Sequence, residues 1–192
     1  MKKFIALIMT AMMMLGLVAC GSNSTGKEDG EKPTTITIKS MNGDKEYVDL
    51  EVPYDPQRIA VIDMPSLDII DSLGLGDRVV GSAKVTIEYL TDYNPDDSNG
   101  KIANLGSVKT ADLEQVAACE PDIIFIGGRL SKSYADLSAI APVVFLGVDY
   151  EKGIVQSTTD NAKVIASIFG KEAEVDAKIT GYQTRIDALG AV

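Results

Sequence analysis

The stretch ADLEQVAACEPDIIFIGGRLSKSYADLSAIAPVVFLGV, Ala111 to Val148, runs twice through one order: helix-like spacing, a proline, a short apolar run and a glycine. Proline cannot continue a helix, so Pro121 and Pro142 each mark a helix end. The runs DIIFI and VVFL carry no alternation, as expected of strands buried on both faces. Such strands alternating with helices predict an α/β fold built on a parallel sheet with helices on both sides. The two prolines are too close for a solenoid, so the units are successive βα steps.

Working outward, RIAVID (58–63) and RVVGSA (78–83) are further strands of the same kind. Before them, ITIKSMNGDKEYVDLEVP (36–53) alternates around Asn42-Gly43-Asp44 and predicts a β-hairpin. Downstream, TDNAKVIASIFG predicts a helix ended by Gly170. In the remainder, Val175, Ile179, Tyr182, Ile186 and Leu189 fall on one face of a helix predicted over 172–189. That helix would measure about 27 Å, with Gly181 interrupting it at modest cost.

The N-terminus reads MKKFIALIMTAMMMLGLVAC: two lysines, an apolar run from Phe4 to Ala19, then Cys20. This is the pattern of a secretion signal. A membrane anchor is the competing reading, but about 16 apolar residues fall short of the roughly 18 to 20 a span needs. LVAC resembles the lipobox of bacterial lipoproteins, which implies cleavage before Cys20 and a lipid on its thiol. Residues 21–35, GSNSTGKEDGEKPTT, lack any large apolar side chain and are expected to be a flexible tether. The expected division is therefore a signal over 1–19, a lipidated tether over 20–35, a lobe over 36–170 and a connecting helix from 171 to 192.

The chain has 18 basic and 28 acidic residues, a net charge of −10. Nucleic acid and a polybasic membrane patch are poor partners for such a chain. Histidine is absent, which removes Ser-His-Asp and Cys-His arrangements and the usual zinc sites. GGRLSKS looks like a phosphate loop at Lys132-Ser133, but the two glycines that motif requires would fall on Ile126 and Ser131. The carboxylates are scattered without a pair suited to acid/base work, so no enzyme is expected. Cys119, alone in AACEP, is expected to be small core filler.

What remains is the loop after DIIFI, at the carboxyl edge of a parallel sheet, where open α/β sheets bind ligands. Gly127 and Gly128 permit close approach, Arg129 offers a fork for anionic oxygens, and Ser131 or Ser133 can cap the next helix. Read from local chemistry alone, Arg129 fits a solvated charge equally well.

The phrases LGSVKTADLEQVAACEPDIIF and GGRLSKSY, behind a lipobox, tether and hairpin, resemble the iron-siderophore substrate-binding lipoproteins of ABC importers, within them the petrobactin and catecholate binders of Gram-positive bacteria. The resemblance runs from about Pro56 to Asp187. It implies a helical-backbone (class III) periplasmic-binding-protein-like fold: two α/β lobes joined by a long helix, whose beginning residues 172–189 match. No second lobe follows in the sequence, so the chain is expected to be a truncated form.

The resemblance also implies a ligand, a ferric siderophore complex, with no cofactor and no protein side chain bound directly to the metal. Arg129 would touch it, joined by Lys84 at another strand end. Asn104 to Ser107, with Gly106, and Gly147 to Asp149 would border the cleft. Glu114, in the first turn of a helix, would dock on an ABC permease, itself partnered by its ATPase. The protein would act as a lipid-anchored monomer on the extracytoplasmic face of the cell membrane. Cobalamin or haem as the ligand, or a lobe that binds nothing, are the alternatives.

Overall fold

The computed structural model describes residues 33–190. The signal, Cys20 and most of the expected tether lie outside the described residues. Strand β1 (Thr35–Met41) pairs antiparallel with β2 (Tyr47–Pro53), as the alternation around Asn42 predicts. Asn42 Oδ1 accepts the backbone N–H groups of Asp44 (3.0 Å) and Glu46 (2.9 Å), which closes the turn.

The central sheet has five strands in the order β5, β4, β3, β8, β9, all parallel. They are β3 (Ile59–Ile62), β4 (Val79–Ser82), β5 (Ala103–Asn104), β8 (Ile123–Ile126) and β9 (Val143–Phe145). A small antiparallel ribbon, β6 (Gly106–Ser107) with β7 (Thr110–Ala111), follows β5. Side chains of β3, β8 and β9 divide strictly between two cores. Ile59, Val61, Ile123, Phe125 and Val144 pack on one face, and Ala60, Ile62, Ile124, Ile126, Val143 and Phe145 on the other. Both faces being covered is why these strands read as unbroken apolar runs.

Helices α1 (Met64–Ser72) and α4 (Ile154–Phe169) cover the first face through Leu67, Ile70, Ile165 and Ile168, all fully buried. On the second face lie α2 (Leu113–Ala118) and α3 (Tyr134–Ser138), through Val116 and Leu137. Cys119 belongs to this second core, its thiol pushed up in pKa by burial. The hairpin closes the β9 edge: buried Ser40 accepts the Phe145 N–H at 2.9 Å, giving an edge-strand donor its partner.

Three local details depart from the sequence expectations. α4 begins at Ile154 rather than near Thr159, because Gly153, at φ 82°, lets the chain turn into a helix whose first residues, Ile154 and Val155, lie exposed and break the apolar periodicity. Ser133 occupies the N-cap position of α3 without making a side-chain cap, and Ser131 makes none either. The segment Gly128–Ser133 is already a tight 3-10 turn, in which the Ser131 carbonyl accepts the Tyr134 N–H. The last helix, α5 (Glu172–Gly190), matches its predicted span, but its stripe is only partly packed. Val175 is buried and Ile179 half-buried, whereas Tyr182, Ile186 and Leu189 are exposed.

Packing predicts unequal costs along these two helices. Ile165→Ala should destabilise the fold by about 2 to 5 kcal/mol, since it empties a fully buried site. Ile186→Ala should change stability by no more than about 0.5 kcal/mol, as for other exposed positions. Urea unfolding of the two variants checks the contrast.

Candidate functional site

The strand order places a topological switch point between β3 and β8: from β3 the chain adds β4 and β5 on one side, then crosses to add β8 and β9 on the other. Adjacent connections diverge there and leave a crevice beyond the carboxyl ends. β3 and β8 run in step from Ile59 opposite Ile123 to Ile62 opposite Ile126, so the next residues, Asp63 and Gly127, face each other across the opening. A Cβ at Gly127 would collide with Asp63 Oδ1. Any side chain at 127 would therefore have to displace the Asp63 carboxylate from its place.

A cleft of about 670 Å³ opens over this point. That is within the range of small-molecule sites. Gly127, Gly128 and Arg129 form one wall. Met41 and Lys45 of the hairpin turn border it, as do Phe145 to Val148 and Tyr150 after β9, and Thr158 and Asn161 of α4. Arg129 is exposed, and among the described residues it forms no ion pair, nor does Lys45. Two cations without carboxylate partners thus border one opening, which suits an anion.

Asp63 is the acidic residue on the cleft wall. Its Oδ2 accepts both the backbone N–H (3.1 Å) and the hydroxyl (2.8 Å) of Ser66, capping α1, with Pro65 in the first turn. Burial nevertheless dominates and holds its carboxyl above the usual carboxylate range.

Of the residues expected from sequence, the structure brings Gly127, Gly128 and Arg129 together, with Gly147 beside them. Lys84 stands apart from this cleft. Its ammonium pairs with Asp96 at 2.6 Å, which pushes its pKa up, and it does not line the cleft. Asn104 and Gly106 are likewise apart: Asn104 Oδ1 accepts the Gly106 N–H at 2.9 Å in a turn of its own. The physical reason is shared, because β4 and β5 lie on the other side of β3 from β8 and β9. Ser131 packs under the hairpin turn, its carbonyl near Gly43, rather than in the opening. Asp149 is not among the cleft's lining residues, and its backbone exchanges two hydrogen bonds with the Ser157 hydroxyl. Glu114 is exposed in the first turn of α2, where Asp112 caps the helix, and is not a cleft residue.

Lys45, Asp63 and Tyr150 were not expected. The motif Asp63-Met64-Pro65 at a strand end is legible as a helix cap next to a ligand edge. Lys45 has no such local signal, since only the folding of the hairpin onto β9 carries it to the cleft.

Residues 59–192 match the family model described as periplasmic binding protein, and the chain belongs to that family. It is 38% identical over 191 residues to the petrobactin-binding protein YclQ of Bacillus subtilis, covering 97% of this chain and 57% of that protein. The crystal structure of that protein matches with a TM-score of 0.72 at 36% identity, over 80% of this chain and 52% of the other. The catecholate-siderophore binding protein VctP of Vibrio cholerae matches with a TM-score of 0.69 at 31% identity, over 80% of this chain and 52% of that one. The chain thus spans little more than half the length of these relatives.

The Asp63 environment sets a pH-dependent stability. Its folded pKa lies above the ordinary 3.8, so ionisation is easier in the unfolded chain. Its contribution is fully present below 3.8 and is lost as pH rises through the raised folded value. An asparagine in its place keeps a capping oxygen and carries no charge. Asp63→Asn should therefore melt at or above the wild-type temperature at neutral pH, with the gain shrinking as pH falls toward 3.8. Melting curves across that range check the sign.

Proposed function

We propose that this member of the periplasmic binding protein family is the ligand-binding lobe of an ABC importer's substrate-binding lipoprotein, capturing an anionic ferric siderophore of catecholate type. The observation that carries the reading is the pair of unpaired cations, Lys45 and Arg129, bordering a cleft at the switch point of the sheet. The likeness to relatives named for petrobactin and for catecholate siderophores supports the ligand class. Iron in this reading is cargo that enters fully chelated, and the side chains bind the chelate rather than the metal. The protein performs no covalent step.

Each part of the cleft has a role in capture. Arg129 donates from a planar fork that matches adjacent oxygens of a chelate, and Lys45 supplies a mobile point charge from the opposite rim. Gly127 and Gly128 let the complex approach the backbone, and Tyr150, 83% exposed, offers a ring to its flat catechol faces. Glu114, exposed on α2, would meet a cationic surface of a permease, and Cys20 would carry the lipid that holds the protein at the outer face of the cell membrane.

Tryptophan is absent and seven tyrosines are present, so quenching of tyrosine emission reads binding directly. Titration with a ferric catecholate should quench saturably. Arg129→Ala should weaken binding by about tenfold or more, the loss expected for a charge-assisted contact. Lys45→Ala should weaken it by a smaller factor and flatten its salt dependence, while Lys84→Ala should leave it unchanged. Equal affinities in all three variants would contradict the reading.

A further inference from the structure

A carboxylate on the wall of a cleft that takes anions works against the ligand unless it has a task of its own. Asp63 has no cation to neutralise it: among the described residues it forms no ion pair, and its bonded neighbours are the N–H and hydroxyl of Ser66. Both of those bonds go to Oδ2. Oδ1 has no hydrogen-bond donor from the protein, and it lies against the bare Cα of Gly127. It is not sealed in either. Among the described residues the enclosed side-chain oxygen without a partner is Asn94 Oδ1, so Asp63 Oδ1 keeps access to the opening its residue lines.

The remaining charged or titratable side chains around the cleft are Lys45 on the hairpin, Arg129 after β8 and Tyr150 after β9; α4 contributes only neutral residues. The cleft is thus divided, with two unpaired cations on its rim and, on its wall, one acceptor that no donor among the described residues satisfies. An alanine at position 63 would remove the charge and leave room for a side chain at 127. The pairing present instead is a glycine giving way to a charged oxygen.

We propose that Asp63 is a specificity-determining ligand contact: its free Oδ1 accepts a hydrogen bond from an ammonium or N–H group on the siderophore backbone while Lys45 and Arg129 hold the anionic chelate. The inference rests on the reading of the cleft as a ferric-catecholate site and adds a second requirement to it. A chelate carrying only anionic oxygens meets an unrelieved carboxylate, and one that also carries a donor does not. Burial of Asp63 sharpens this choice, because an uncompensated charge costs more where water is scarce.

The test uses two ferric complexes, those of 4-ethylcatechol and of dopamine, whose ammonium adds both a donor and a positive charge, titrated against the full chain by tyrosine quenching; the change on Asp63→Asn, compared between the two, isolates the contact from the difference in charge. Wild type should prefer the dopamine complex. Asp63→Asn keeps the α1 cap and replaces the free acceptor by a neutral amide. It should weaken dopamine-complex binding by about tenfold, as for loss of a charge-assisted hydrogen bond, and leave the 4-ethylcatechol complex as tight or tighter. An equal change for both complexes, or none, would overturn the role of Asp63 while leaving the cleft intact. Failure of both complexes to bind wild type, or indifference of both to Arg129→Ala, would instead bring down the underlying reading and the inference with it.

Discussion

The parallel, in-step pairing of β3 with β8 is the constraint on which the rest of the cleft depends. It sets Asp63 directly against Gly127 at the carboxyl edge, so close that a Cβ at 127 would displace the Asp63 carboxylate. From that contact α1 departs to one side, started by the Asp63 cap, and the tight turn bearing Arg129 departs to the other. The two departures open the space between them. The hairpin then closes the third side, held to the β9 edge by the Ser40 hydroxyl, and so brings Lys45 over the opening.

Much of this arrangement was legible in the sequence, and the limits have physical causes. The apolar runs ending at Ile62, Ser82, Ile126 and Phe145 announce a covered parallel sheet because each strand fills two cores at once. Strand order is another matter. Nothing in RVVGSAK distinguishes a strand that neighbours β8 from one on the far side of β3, so Lys84 looks equivalent to Arg129 although a nearby carboxylate, Asp96, occupies it. Lys45 is hidden for the opposite reason, since a lysine in a hairpin turn is usually solvated and only tertiary packing makes it a cleft residue. Asp63 could have been found: a strand-end aspartate before Met-Pro is a cap, and caps at carboxyl edges border ligand sites.

The electrostatics show how an acidic chain can border a cleft with unpaired cations. A net charge of −10 is spread over a surface where several cations are already paired, as Lys39, Lys84 and Lys152 are with aspartates. Such pairs contribute little to stability at an exposed surface, but they remove those cations from competition for an anion. Lys45 and Arg129 form no ion pair among the described residues and both border the cleft beside Gly127 and Gly128. The family likeness is to proteins named for siderophore binding, and it extends over little more than half of their length.

The most direct measurement is amide chemical-shift mapping of the chain with a gallium catecholate, a diamagnetic stand-in for the ferric complex. The account predicts perturbations centred on Lys45, Asp63, Gly127 to Arg129 and Gly147 to Tyr150. Perturbations centred instead on Lys84 and Asn104 to Gly106, with the β3–β8 edge silent, would contradict it.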